Sequence, residues 1–164
     1  RMPLHIKDVG IIYDTAVHDI DTAIYLFGSK PNVVFARAGK IFHSFEDFSN
    51  IILGFGKDRV AVISSNWITP KKVRNFSAVC TDAIINGDFI KQEITIEDSL
   101  STTTPRRQNL VEPLSLELRN FIEVIKRKRD HPEVSPEEAT NVTKIAEAAL
   151  LSSNTGAPIY LNLG

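Results

Sequence analysis

The sequence predicts an α+β fold: a mostly antiparallel open β-sheet with helices packed on one face. Three patterns predict it. Helical periodicity runs from Asp14 to Phe27, β-branched and aromatic residues alternate from Asn32 to about Glu97, and helical periodicity returns after Pro113 and Ser135. Consecutive strands joined by short turns pair antiparallel, and two long closing helices can cover only one face of their sheet.

Taken in order, Val9 to Tyr13 is a short apolar run containing Gly10, read as a buried strand or extended segment that feeds the first helix. The helix follows through Val17, Ile20, Ile24 and Phe27 and stops at Gly28. Val33 to Phe42 and Ser49 to Phe55 read as strands, and Gly56-Lys57-Asp58 turns the chain into Arg59 to Trp67. There Ala61, Ile63, Ser65 and Trp67 share one face, and Val60, Val62, Ser64 and Asn66 the other. Val73 to Ile85 and Phe89 to Glu97 read as a hairpin around Asn86-Gly87-Asp88. Ser99 to Asn109 is a polar loop. Pro113 opens a helix whose Leu114, Leu118, Phe121, Ile122 and Ile125 trace a core-facing stripe, ending in a solvated Lys126-Arg127-Lys128-Arg129 turn. Ser135-Pro136-Glu137-Glu138 is a capping box, and Ala139, Val142, Ile145, Ala146, Ala149 and Leu150 form the buried face of the last helix. Gly156 ends it, and Ile159-Tyr160-Leu161 adds a short terminal strand. The expectation is one domain over residues 1–164.

Composition narrows the function classes. The 164 residues are 43% hydrophobic and 24% charged, the balance of a soluble globular protein. No run is long and apolar enough to span a bilayer, and no signal peptide opens the chain, so the expected location is cytoplasmic. Nineteen Lys and Arg against 20 Asp and Glu leave a net charge of −1, which argues against nucleic acid or membrane as partners and for a small molecule. The single cysteine, Cys80, excludes an internal disulfide and reads as a small buried hydrophobe in a strand. The opening Arg1-Met2-Pro3 is what a fragment, or a chain with an added leading residue, would show.

The chemistry concentrates in Tyr13-Asp14-Thr15-Ala16-Val17-His18-Asp19-Ile20-Asp21. On a helix, Asp14, His18 and Asp21 at i, i+4 and i+7 share one face beside the apolar stripe. An imidazole one turn from a carboxylate can take a proton from a hydroxyl while the carboxylate orients the same group. Two other readings stay open: Asp14 as a helix cap, and the three side chains as part of a divalent-metal site. His5, His43 and His131 lie in no ligand-spaced motif, so no metal is expected. Gly54-Phe55-Gly56-Lys57-Asp58-Arg59 begins like a dinucleotide fingerprint but lacks the third Gly and leads into a strand, so it reads as a hairpin. No nucleophile elbow or Walker loop is present in the sequence.

These motifs resemble those of the glucose-fructose oxidoreductase, inositol dehydrogenase and rhizopine catabolism (Gfo/Idh/MocA) family. The Tyr13–Asp21 segment is similar to the family's D-x-G-x-H-x-x-D, and Ser65-Asn66-Trp67-Ile68-Thr69-Pro70-Lys71-Lys72-Val73-Arg74 looks like the SW-L-x-P-x-K-x-R stretch of members that oxidise nucleotide-linked sugars. Glu112-Pro113-Leu114, Phe121, Ile145-Ala146-Glu147-Ala148-Ala149, Ser152 and Gly156 continue the match in order.

The resemblance implies the C-terminal, substrate-binding and oligomerising half of an NAD(P)-dependent dehydrogenase of a sugar or nucleotide sugar. It makes Asp14 and His18 the catalytic pair, with Asp21 in support. The NAD or NADP would be bound mainly by an N-terminal Rossmann domain absent from this chain, together with the family's catalytic lysine, so this chain alone is expected to be inactive. Thr15-Ala16 departs mildly from the family's small residue and Gly. Trp67, Arg74, Arg106 and Arg107 are expected sugar or phosphate contacts, with structural ion pairs as the alternative for the arginines. The sheet face left uncovered by helices is expected to form a homodimer or homotetramer. Other classes remain open: a non-catalytic binding or assembly module on the same scaffold, or a metal-dependent sugar isomerase.

Overall fold

A computed structural model describes residues 8–105 and 111–163. A π-helical turn, Ile12–Ala16, is followed in chain order by α1 (Val17–Phe27), β1 (Val33–Gly39), β2 (Phe48–Phe55), β3 (Arg59–Asn66), β4 (Asn75–Val79), β5 (Ala83–Asp88), β6 (Glu93–Asp98), β7 (Thr102–Thr103), α2 (Pro113–Ile125), α3 (Pro136–Thr155) and β8 (Ile159–Tyr160). The fold is α+β, and its strands divide between two antiparallel sheets ordered β3-β2-β1-β8 and β4-β5-β6-β7. The residues group into two compact units, one made of the chain up to Pro70 with Val134 onward, the other of Lys71–Glu133.

In the first unit, α1 and α3 pack on one face of the sheet. Ile20 and Ala23 of α1, Val34, Ala36, Ile51, Leu53 and Ile63 of the strands, and Val142, Ile145, Ala146 and Ala149 of α3 are all buried in one cluster. Each large aliphatic side chain so buried contributes about 1.5 to 3 kcal/mol before chain entropy is counted. The alternation expected along β3 is observed, with Ile63 and Ser65 buried and Val60, Val62, Ser64 and Asn66 exposed. Gly56 takes φ 66° in the β2–β3 turn, as the hairpin reading requires.

Strand β8 covers only the first residues of β1. Beyond it, Ser152 and Ser153 of α3 accept hydrogen bonds from the backbone N–H of Ala36 at 3.0 Å and of Ala38 at 2.8 Å. The edge of the sheet is thereby closed by a helix instead of a strand. The capping box forms at Ser135 and Glu138, and Gly156 ends α3 at φ 72°.

Several expectations are corrected. Ile11 and Ile12 are fully buried as expected, but in helical backbone and not in a strand, because a short apolar run does not by itself distinguish the two. Strand β1 ends at Gly39 instead of Phe42, where the Asp47 carboxylate takes the N–H groups of Ile41 and Phe42 out of the ladder.

In the second unit, Asn86 and Gly87 lie inside β5 and not in a turn. Gly87 pairs with Phe76, whose ring fills the space a Cβ would need, so this glycine serves packing. The turns fall instead at Cys80-Thr81-Asp82, and after Asp88, whose carboxylate accepts from the N–H groups of Ile90 and Lys91. Cys80 is accordingly exposed, not buried in a strand. The Leu114, Leu118, Phe121, Ile122 and Ile125 stripe of α2 is also exposed rather than core, since no residue of that helix is buried among the described residues.

Candidate active site

The helix carrying the Tyr13–Asp21 motif is held at both ends by distant residues. At its start the backbone N–H of Ile11 donates to the Glu46 carbonyl at 2.9 Å, and that of Ile12 donates to Glu46 Oε1 at 3.4 Å. At its end Gly28 takes φ 60°, and the Arg59 guanidinium donates to the Phe27 carbonyl at 3.1 Å while lying 5.5 Å from the centre of the Phe27 ring. Between them Ile12, Ala16, Ile20 and Ala23 face the core. The opposite side of the helix is left for chemistry.

That side opens on a cleft of about 320 Å³ in the first unit, lined by Tyr13, Val17, His18 and Asp21 and, from the α3 side, by Val134, Ala139, Val142 and Thr143. His18 and Asp21 are therefore brought together, as their spacing indicated. Asp14 is not in the lining: its carboxylate accepts the hydroxyl of Thr15 at 2.9 Å. The i, i+4 spacing puts two residues on one face only in an α-helical turn, whereas Asp14 sits in the wider π-turn, which rotates it relative to His18. Nor does Asp14 cap the helix, because the N-cap position is Ile11, with no side-chain cap bond. Single π-turns are rare and recur at functional sites, where they re-aim one side chain without ending the helix.

Burial shapes the protonation of the cleft's acids. Burial pushes the Asp21 carboxyl above its ordinary range and the nearby Glu138 charge adds to this, while the His18 charge pulls it back. Glu138 itself is held low by the Ser135 backbone and side-chain hydrogen bonds of the capping box, so it stays a carboxylate. Burial also raises the Tyr13 hydroxyl, with Glu147 and Glu46 adding to the effect. Exposed His18 thus shares the cleft with a carboxyl whose ionised form is disfavoured by burial and a phenol that keeps its proton.

Behind the helix lies a second polar layer. The Ser65 hydroxyl of β3 donates to Asp19 Oδ2 at 3.1 Å. Trp67 is buried in the core cluster, its backbone N–H donating to the Asp47 carbonyl at 2.9 Å and its indole meeting the His43 ring edge-on at 6.0 Å. Asp47 is fully buried. Burial works to raise its carboxyl, but the N–H groups of Phe42 and Ile41 and the His43 charge outweigh this and hold it below the ordinary carboxylate range. Asp19, Glu46 and Asp47 were not singled out in the sequence. Glu46-Asp47 has no helical or strand period; Glu46 meets Ile12 from 34 residues away, and Asp47 caps an irregular loop through Ile41 and Phe42.

The remaining expected contacts are placed separately. Arg74 belongs to the second unit, where its guanidinium lies 5.6 Å from the centre of the Phe89 ring and its Nε has no hydrogen-bond partner among the described residues. Arg106, Arg107 and His5 lie outside the described residues. Among the described residues no three His, Cys, Asp or Glu side chains converge as metal ligands would.

The fold recurs in solved oxidoreductases. A UDP-N-acetylglucosamine 3-dehydrogenase from Acidithiobacillus ferrooxidans is 17% identical with a TM-score of 0.80, over 88% of this chain and 47% of that one. An aldose-aldose oxidoreductase from Caulobacter crescentus, complexed with glycerol, is 18% identical with a TM-score of 0.76, over 88% and 45%. An oxidoreductase from Agrobacterium radiobacter, in complex with NAD+, L-tartaric acid and magnesium, is 15% identical with a TM-score of 0.73, over 92% and 48%. The chain thus spans about half the length of these structures. No curated protein matches it by sequence. A family profile, the GFO/IDH/MocA C-terminal domain, matches residues 5–86, half of the chain and the part that holds the π-turn, α1, the first four strands and the start of β5. The chain belongs to the Gfo/Idh/MocA family of oxidoreductases, whose C-terminal domain it carries.

Proposed function

We propose that this chain is the substrate-handling half of an NAD- or NADP-dependent oxidoreductase that oxidises a hydroxyl of a sugar or nucleotide sugar. The observation that carries the reading is the cleft itself: His18 and Asp21 line it together, on a helix that begins with a π-turn bearing Asp14. Two structurally similar proteins bear names that specify sugar substrates, which supports the substrate class.

In this reading His18 accepts the hydroxyl proton as the carbon is oxidised. Asp21 stabilises the imidazolium, and Asp14, hydrogen-bonded to the Thr15 hydroxyl outside the cleft lining, supports the pair from the π-turn. The dinucleotide would supply the hydride acceptor. This chain's described residues have no cradle for it: Gly54 lies in β2 and Gly56 in the hairpin turn at φ 66°, with no glycine-rich strand-to-helix turn. Cofactor binding is therefore assigned to the other half of the parent protein. Trp67 packs into the core cluster and is read as packing, while Arg74 in the second unit and Arg106 stay contacts proposed from the sequence resemblance alone.

The support for assembly is the open sheet face. Val60, Val62 and Ile52 are exposed on the face opposite α1 and α3, and we assign this face to a homodimer or homotetramer.

The test is turnover of the full-length parent against a panel of sugars and nucleotide sugars, with NAD and with NADP. Oxidation of at least one sugar class is expected, and none by this chain alone. Micromolar binding of NAD or NADP to this chain in calorimetry would overturn the division of labour.

A further inference from the structure

We infer that Glu46 is a positioning residue for the helix that carries His18, and that Gly10 is glycine in order to admit it. A helix start leaves its first N–H groups without partners, and these are ordinarily taken by a side chain at the N-cap itself. Here the N-cap residue Ile11 offers none. Glu46, from the β1–β2 connection, takes two of them, Ile11 with its carbonyl and Ile12 with its carboxylate. The carboxylate also places a negative charge at the positive end of the helix.

Glu46 as a residue is only 8% exposed. A Cβ built on Gly10 would fall among Glu46 Cδ, Oε1 and Oε2, so any other residue at position 10 evicts the carboxylate. Gly10 in turn accepts the Asp14 backbone N–H at 3.1 Å. The π-turn, and with it the placement of Asp14 and His18, is therefore set from a loop 34 residues away. That loop is itself fixed. Asp47 donates its N–H to the Gly39 carbonyl at 2.9 Å and accepts from Ile41 and Phe42 at 2.9 and 2.7 Å.

The test uses the whole chain and reciprocal substitutions. In amide exchange, Glu46→Ala should raise the rates of Ile12 and Tyr13 about tenfold, the effect of losing one cap, while Leu53 and Ile63 in the sheet keep theirs. Glu46→Gln, which keeps the acceptor, should stay within about threefold of the wild type. Gly10→Ala should reproduce Glu46→Ala, and the double variant should be no worse than either single one.

Additive effects in the double variant, or a uniform rise across the sheet, would overturn the inference. In the full-length parent, the same variants should lower kcat about tenfold with KM within about twofold, because only the reacting group is misplaced. That second readout rests on the proposed function. A parent with no turnover would sink that function and leave the exchange result standing.

Discussion

The Ser65 hydroxyl donates to Asp19 Oδ2 at 3.1 Å, tying the end of β3 to the residue that follows His18 on α1. Directly across the ladder Ser49, equally buried, has no partner for its hydroxyl among the described residues. Two serines in one register thus have opposite energetics. Ser65→Ala strips a half-buried carboxylate of a donor and should cost about 1 to 2 kcal/mol in urea unfolding. Ser49→Ala should be neutral or slightly stabilising, because no bond is lost. Equal losses for the two would mean that packing, and not the hydrogen bond, sets the cost.

The roles of His18 and Asp14 separate in kinetics. His18→Ala in the full-length parent should lower kcat/KM by about 10² to 10⁴, the range of a lost general base. Asp14→Ala should lower it by less, about 10- to 100-fold, since Asp14 faces Thr15 and lies outside the cleft lining. Wild-type activity in both variants would remove them from the site.

What was legible is local. The shared face of His18 and Asp21 follows from helical spacing, Ser135 and Glu138 from the capping box, and Gly28, Gly56 and Gly156 from their places after periodic runs. The α-helical spacing misplaced Asp14. What stayed hidden depends on residues distant in sequence. The π-turn follows from Glu46, Gly87 imitates a turn residue but makes room for the Phe76 ring, and Asn86 follows it into the strand. The α2 stripe has the period of a core helix, but periodicity says only that a face is apolar, not that anything covers it.

Asp21 gives a pH dependence with a defined sign. Its folded value is raised by burial and by Glu138, above an unfolded value of about 3.9. The folded state holds the proton more tightly, so this contribution is fully present below about pH 3.9 and is lost as pH rises through the folded value. Asp21→Asn should therefore match the wild type at low pH and exceed it in stability at pH 7. Urea midpoints measured from pH 3 to 8 check this, and a gap that closes as pH rises would contradict it.

Asp47 runs the other way. Its folded value is lowered, so its contribution is present above about pH 3.9 and is lost as pH falls through the depressed value. Asp47→Asn should be less stable at pH 7 by about 1 to 3 kcal/mol, because its amide accepts more weakly from Ile41 and Phe42. The difference should shrink in acid, and the same pH series of urea midpoints measures it.

The uncovered sheet face supplies the last expectation. Val62 is 72% exposed at the centre of β3, with Ile52 opposite it on β2 and Val60 two residues before it. β-branched side chains on an open face are poorly placed in water, and a copy of the same face is the simplest cover, since a two-fold pairs each patch with itself. A charge at the centre would then be buried twice, once in each subunit, with no partner of opposite sign. Val62→Lys should convert the assembly to monomers in sedimentation velocity and leave the urea midpoint of the monomer within about 0.5 kcal/mol, because an exposed strand position tolerates lysine. A wild type that already sediments as a monomer, or an assembly unmoved by the lysine, would show that copies of this chain do not meet through β2 and β3.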